Sequence, residues 1–106
     1  MAQKPPCLKK GDMIRVIAPA SSERDTVEAR KGISKLNELG FEVSLGKCVR
    51  ELRTFGYLAG TDQERAEELN EAFRDPKVMA VFCVTGGYGT PRMLPYVDYD
   101  LIRSKP

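Results

Sequence analysis

VFCVTGGYGTPRMLP, residues 81–95, runs an apolar segment into a glycine turn and then into Thr90-Pro91, a pair suited to opening a helix. The apolar run spans 78–84 (VMAVFCV) without a break, as a strand covered on both faces of a parallel sheet would. Strand, sharp turn and helix in that order make part of an α/β crossover, so the question is whether the rest of the chain repeats the alternation.

It does. Upstream, Thr61 and Glu64 form a capping-box pattern, Ala66, Leu69, Ala72 and Phe73 supply an apolar stripe, and Asp75-Pro76 ends that helix. Residues 13–18 (MIRVIA) are rich in β-formers and stopped by Pro19, leaving APASSERD as the loop at the strand's carboxyl end. Asp25 and Glu28 resemble a capping box, and Ala29, Gly32, Ile33, Leu36 and Leu39 follow at helical spacing until Gly40. Residues 41–45 (FEVSL) alternate as a strand, 46–60 show no clear period and read as a long loop, and 91–96 form a short third helix. The expected fold is α/β, a three-layer flavodoxin-like domain with a short parallel sheet. In such sheets ligands gather outside the carboxyl ends of the strands, which puts APASS and TGGYGT on one rim.

A chain of 106 residues forms one domain, with at most one core. Its charge of +2 is interspersed along the sequence, which excludes a basic nucleic-acid or membrane-binding stretch. MAQKPPCLKK lacks the apolar centre of a secretory signal and no apolar run could span a bilayer, so the expected location is cytoplasmic. Cys7, Cys48 and Cys83 are widely spaced, with no CxxC pair and no histidine to complete a zinc site, so no disulfide framework, metal or cofactor is expected. Cys83, inside the apolar run, reads as a small hydrophobe. With histidine absent, no hydroxyl or thiol of this chain has the commonest general base beside it.

Three readings compete for residues 85–92. A phosphate loop needs Lys-Ser/Thr after the glycines, and a dinucleotide fingerprint needs GxGxxG after the first strand; neither pattern is present. A nucleophile elbow would place a hydroxyl on a strained strand-to-helix turn beside backbone N–H groups, with at least one of Gly86 and Gly87 at positive φ. The plainer alternative makes Thr90 a helix N-cap and Pro91 the first helical residue.

GDMIRVIAPASS, LGFEV, FGYLAGTDQERAEELNEAFRDPKVMAVFC, GGYGT and RMLPYVDYDLIRSKP together resemble the N-terminal domain of the LD-carboxypeptidase family, serine peptidases that include muramoyl-tetrapeptide carboxypeptidases and microcin C self-immunity peptidases. The resemblance spans nearly every residue. It implies a hydrolase of peptidoglycan recycling, with a nucleophile on this domain and the glutamate and histidine of its triad on a C-terminal domain. It implies murein tetrapeptides or related small amides as substrate. Thr90 stands where the nucleophilic serine is expected, followed by Pro91, which has no N–H to give an oxyanion, so the amide of Gly87 is the candidate donor. Residues 1–106 are expected to be the nucleophile-bearing domain alone, with the C-terminal domain absent and the isolated chain inactive. The other reading is a binding or self-associating domain that keeps the family fold.

Ser21, Ser22 and Arg92 are candidates for holding a substrate carboxylate, although loop serines also serve turns and Arg92 also reads as a solvated helix charge. Tyr88 either lines the cleft or covers the turn, and Tyr57 reads as an aromatic anchor of the long loop. A short sheet with open edges and few covering helices also predicts a homo-oligomer.

Overall fold

The computed structural model describes residues 3–21, 27–50, 58–85 and 87–105. Three parallel strands, β1 (Met13–Ile17), β2 (Glu42–Leu45) and β3 (Val78–Cys83), lie in the order β2-β1-β3. Between them run α1 (Val27–Glu38), α2 (Lys47–Arg50) and α3 (Asp62–Arg74), and after β3 come α4 (Thr90–Met93), a 3₁₀ turn (Leu94–Tyr96) and α5 (Tyr99–Arg103). The order is the start of the flavodoxin-like arrangement. No helix among the described residues is long and apolar enough to cross a membrane.

β1 is central, and its residues are the most deeply buried: Ile14, Val16 and Ile17 are nearly inaccessible. Each such side chain contributes ~1.5–3 kcal/mol relative to exposure. Arg15 sits on the opposite face from its neighbours, reaching across α3 to Glu71 and to Asp75 at 2.9 Å, with Ser44 Oγ accepting from its Nε at 2.7 Å. That face of the sheet therefore carries α3. Ile14 and Val16 point to the other face, where α1 packs over β2.

The capping box of Thr61 and Glu64 forms as the sequence predicts, with Glu64 N donating to Thr61 Oγ1 at 3.1 Å and Thr61 N to Glu64 Oε1 at 3.0 Å. The α3 stripe of Ala66 and Leu69 packs against Met93, Val97 and Ile102, a second small core that seats the C-terminal helices. Asn70 pins them further, donating to Tyr96 O at 3.0 Å and accepting from Asp98 N at 2.8 Å.

Four expectations need correction. Residues 78–84 are not covered on both faces: Met79 is 47% and Phe82 42% exposed, and on the face of Phe82 helix α1 packs over β2 rather than β3. Cys83, at the carboxyl end of the strand, is exposed rather than a buried hydrophobe. The 46–60 loop contains α2, whose Cys48 N–H is satisfied by Glu68 from α3, a long-range partner that no local period encodes. Gly89, not Thr90, is the N-cap of α4. The capping pattern of Asp25 and Glu28 begins at a residue outside those described.

Candidate functional site

β1 is flanked by β2 on one side and β3 on the other, so the chain leaves the carboxyl ends of β1 and β3 around a point where the strand order reverses. Ile17 and Cys83 are register partners there, and Val84 N donates to Ile17 O at 2.7 Å. The described residues that follow, 18–21 after β1 and 84, 85 and 87–89 after β3, are consequently neighbours, as the sequence predicts. A Cβ added to Gly87 would stand 3.9 Å from Ala20 Cβ, ordinary contact across the rim.

The two described glycines of the turn are there for different reasons. Gly87 has φ +141°, a conformation that side chains with a Cβ rarely adopt, which fits the elbow expectation; Gly86 lies outside the described residues. Gly89 has ordinary φ but is buried so tightly that a Cβ would collide with Leu58 and stand 3.2 Å from Arg65 Nη1. Thr90 N donates to Gly87 O at 3.1 Å, closing the turn.

Arg65, on the first turn of α3, joins the rim together. It is 0% exposed and its guanidinium spreads over three loops: Nη1 donates to Pro19 O and to Gly89 O, both at 2.6 Å, and Nε donates to Gly60 O at 3.1 Å. Nη2 donates to Asp62, whose other oxygen is 3.4 Å from Arg92 Nε. Ala59 N donates to Ala20 O at 2.8 Å, so the 58–60 segment is tied to the first loop directly as well. Sequence reasoning missed Arg65. The available signal was its place beside Ala66 at positions 65, 68, 69 and 72, the inward face of α3, where a charge needs a buried partner.

Just below the rim, Glu68 is 4% exposed and accepts from Ala18 N at 2.6 Å and Cys48 N at 2.5 Å. Burial raises its carboxyl above the ordinary value, against the opposing pull of those backbone N–H groups. Cys83 is pushed up by loss of solvation and by the charge of Glu68, both of which disfavour its thiolate.

Of the residues singled out from sequence, Gly87 is exposed on the rim, Tyr88 projects to 73% exposure, and Arg92 is held near Asp62. Ser21 is partly buried in the loop after β1. Thr90 lies at the start of α4 with its Oγ1 buried and bonded to no described residue. Ser22 and Tyr57 fall outside the described residues. No group of three or more Cys, Asp or Glu among the described residues is arranged to hold a metal ion.

In parallel α/β domains small ligands gather at the switch point outside the strand ends, and here a glycine turn and a Pro-Ala loop frame that point. Residues 14–106 match the family model of the LD-carboxypeptidase N-terminal domain, and the chain belongs to that family. It is 47% identical over 103 residues to a probable murein peptide carboxypeptidase of Bacillus subtilis, covering 97% of this chain and 31% of that protein. A murein tetrapeptide carboxypeptidase of Pseudomonas aeruginosa is 39% identical over 92 residues, covering 86% of this chain and 29% of the relative. Among solved structures, apo microcin C7 self-immunity protein MccF superposes with a TM-score of 0.90 at 29% identity, covering 99% of this chain and 31% of that one. An MccF-like protein from Bacillus anthracis gives 0.86 at 42% identity, covering 99% and 32%. The chain thus spans about a third of the length of the relatives it matches.

Proposed function

We propose that this chain forms the substrate-holding part of a murein-peptide carboxypeptidase that works in the cytoplasm on recycled cell-wall peptides. The rim receives the terminal D-amino acid of a murein tetrapeptide, or a related small amide, and the amide of Gly87 faces the oxygen on which charge develops. The observation behind this reading is the tying of three loops by one buried arginine at the switch point, in a family whose named members include a murein tetrapeptide carboxypeptidase. MccF has also been solved in complex with aspartyl sulfamoyl adenosine.

Arg92, its side chain 46% exposed beside Asp62, is available to a substrate carboxylate, and Ser21 and Tyr88 flank the same rim. Thr90 occupies the position assigned to the nucleophile. Its hydroxyl is buried, so attack would require it to turn out of the packed start of α4. No histidine exists in this sequence to take its proton. The chain by itself therefore binds without hydrolysing, and the histidine and glutamate of the reaction come from a second domain.

Titration of murein tetrapeptide into the isotope-labelled chain, with D-alanine release assayed in the same sample, tests this. Resonance shifts at Ser21, Gly87, Tyr88 and Arg92 without D-alanine are expected. Shifts confined to other regions, or none, remove the rim reading, and turnover that disappears in Thr90→Ala makes Thr90 an active nucleophile. The second reading, a self-associating domain without catalysis, is favoured by one observation, the exposure of Met79 and Phe82 on β3.

A further inference from the structure

Arg65 has no place in the sequence-derived chemistry, yet it is the most completely buried charged side chain among the described residues. A buried guanidinium is costly unless its donors are matched, and here they are matched by carbonyls rather than by a carboxylate alone. Both protons of Nη1 are committed, one to Pro19 O in the loop after β1 and one to Gly89 O in the loop after β3. Nε fixes Gly60 O, and Asp62 supplies the compensating charge while also holding Arg92.

The consequence reaches the exposed edge of the turn through peptide planes. The Gly89–Thr90 peptide has its carbonyl on Arg65 and its N–H on Gly87 O. A planar trans peptide cannot turn one end without the other, so fixing the Gly89 carbonyl fixes the direction in which the Gly87 carbonyl is held. Gly87, at φ +141° and with no side chain to restrain it, would otherwise sample many orientations. We infer that Arg65 is the positioning residue of the rim, setting the Gly87–Gly89 turn against the Pro19-Ala20 loop so that both present backbone groups to one ligand. This inference rests on the rim being the binding site, and the geometry of the clamp stands apart from the identity of the ligand.

Lysine keeps the charge but offers a single ammonium in place of a planar fork, so it cannot serve Pro19 O, Gly89 O and Gly60 O in their present directions. The experiment compares Arg65→Lys with Arg15→Lys, the latter breaking another buried arginine, which bonds Ser44, Glu71 and Asp75 away from the rim. For each variant of the 106-residue chain, thermal stability, amide resonances and murein tetrapeptide affinity are measured. Arg65→Lys is expected to move or broaden the amide resonances of Ala20, Gly87, Tyr88 and Gly89 and to weaken tetrapeptide binding about 10-fold, the equivalent of one or two misdirected hydrogen bonds to the ligand. Arg15→Lys is expected to lower stability and leave those resonances and that affinity as in the parent. If Arg65→Lys does not fold, Asp62→Asn, which loosens the guanidinium without removing it, is expected to give the same resonance changes in weaker form. Arg65→Lys or, where that fails to fold, Asp62→Asn with parental resonances at 87–89 overturns the inference, as does an equal effect from Arg15→Lys. A parent chain that does not bind tetrapeptide defeats the proposed function, while the resonance comparison still decides whether Arg65 sets the turn.

Discussion

A Cβ placed on Gly46 would lie 2.5 Å from Oε2 of Glu68, inside any acceptable contact. The carboxylate cannot retreat without giving up Ala18 N and Cys48 N, the bonds that attach the end of β1 and the start of α2 to α3. Gly46→Ala should therefore cost about 1–3 kcal/mol, the range for forced overpacking. In a domain of this size that is a fall in midpoint of roughly 4–8 °C per kcal/mol, readable by thermal denaturation. An unchanged midpoint would mean that Glu68 has another resting place.

Two carboxyl groups should give opposite pH slopes. Glu68 is raised above 4.5 by burial, so its protonated form is favoured in the folded state. Its contribution is fully present below 4.5 and is lost as pH rises through the folded value. Asp75 is lowered below 3.8, first by the Lys77 N–H it accepts and then by Arg15, so its contribution is present above 3.8 and lost as pH falls through its own folded value. Denaturant midpoints measured from acid to neutral pH should show the Glu68 slope above 4.5, and Glu68→Gln should remove that slope while leaving the acid limb. A Glu68→Gln profile parallel to the parent's would refute the assignment.

The sequence made the strands and α3 legible because their signals are local. Thr61 and Glu64 are three residues apart, Pro19 stops β1, and Gly40 ends the segment after α1. The rim was legible too, since strand order alone brings residues 18–21 next to residues 87–89. What the sequence hid depends on partners far along the chain. Arg65 meets Pro19 across 46 positions and Gly89 across 24, and α2 is stabilised by Glu68 from 20 positions away. Gly89 was readable as a turn residue, but its reason, the pressure of Leu58 and Arg65, exists only once three loops meet. The exposure of β3 was misread because an unbroken apolar run reports what a strand can have on its faces, not what covers them.

Thr90→Val should be neutral or stabilising. The hydroxyl is buried with no described partner, and a buried group left unsatisfied costs about 1–3 kcal/mol that an isosteric methyl removes. Chemical denaturation of the two proteins, with equal slopes, measures the difference. A loss of stability beyond about 1 kcal/mol would show that the hydroxyl has a bond in solution and would reopen it as a participant in the rim's chemistry.

The chain should associate through β3. Among the described residues nothing pairs with its outer edge, since β1 takes the inner one and β2 lies on the far side. Phe82 is the register partner of Val16 and so shares its face, the face that α1 covers only toward β2. Phe82 meets water there at 42% exposure, and Met79, at 47%, adds a second exposed apolar side chain to a strand whose edge offers unpaired backbone groups. At ~25 cal/mol per Å² of apolar surface, hiding a few hundred Å² contributes several kcal/mol, comparable with the whole stability of a small domain. A homodimer or strand-exchanged assembly at micromolar concentration is expected by sedimentation. Placing lysine at both positions, Met79→Lys with Phe82→Lys, should yield a folded monomer, because edge lysines carry charge that neither a second strand nor a second apolar face accommodates. A parent chain that stays monomeric without aggregating across the micromolar range, or a double variant that associates as strongly, would show that β3 is not the contact.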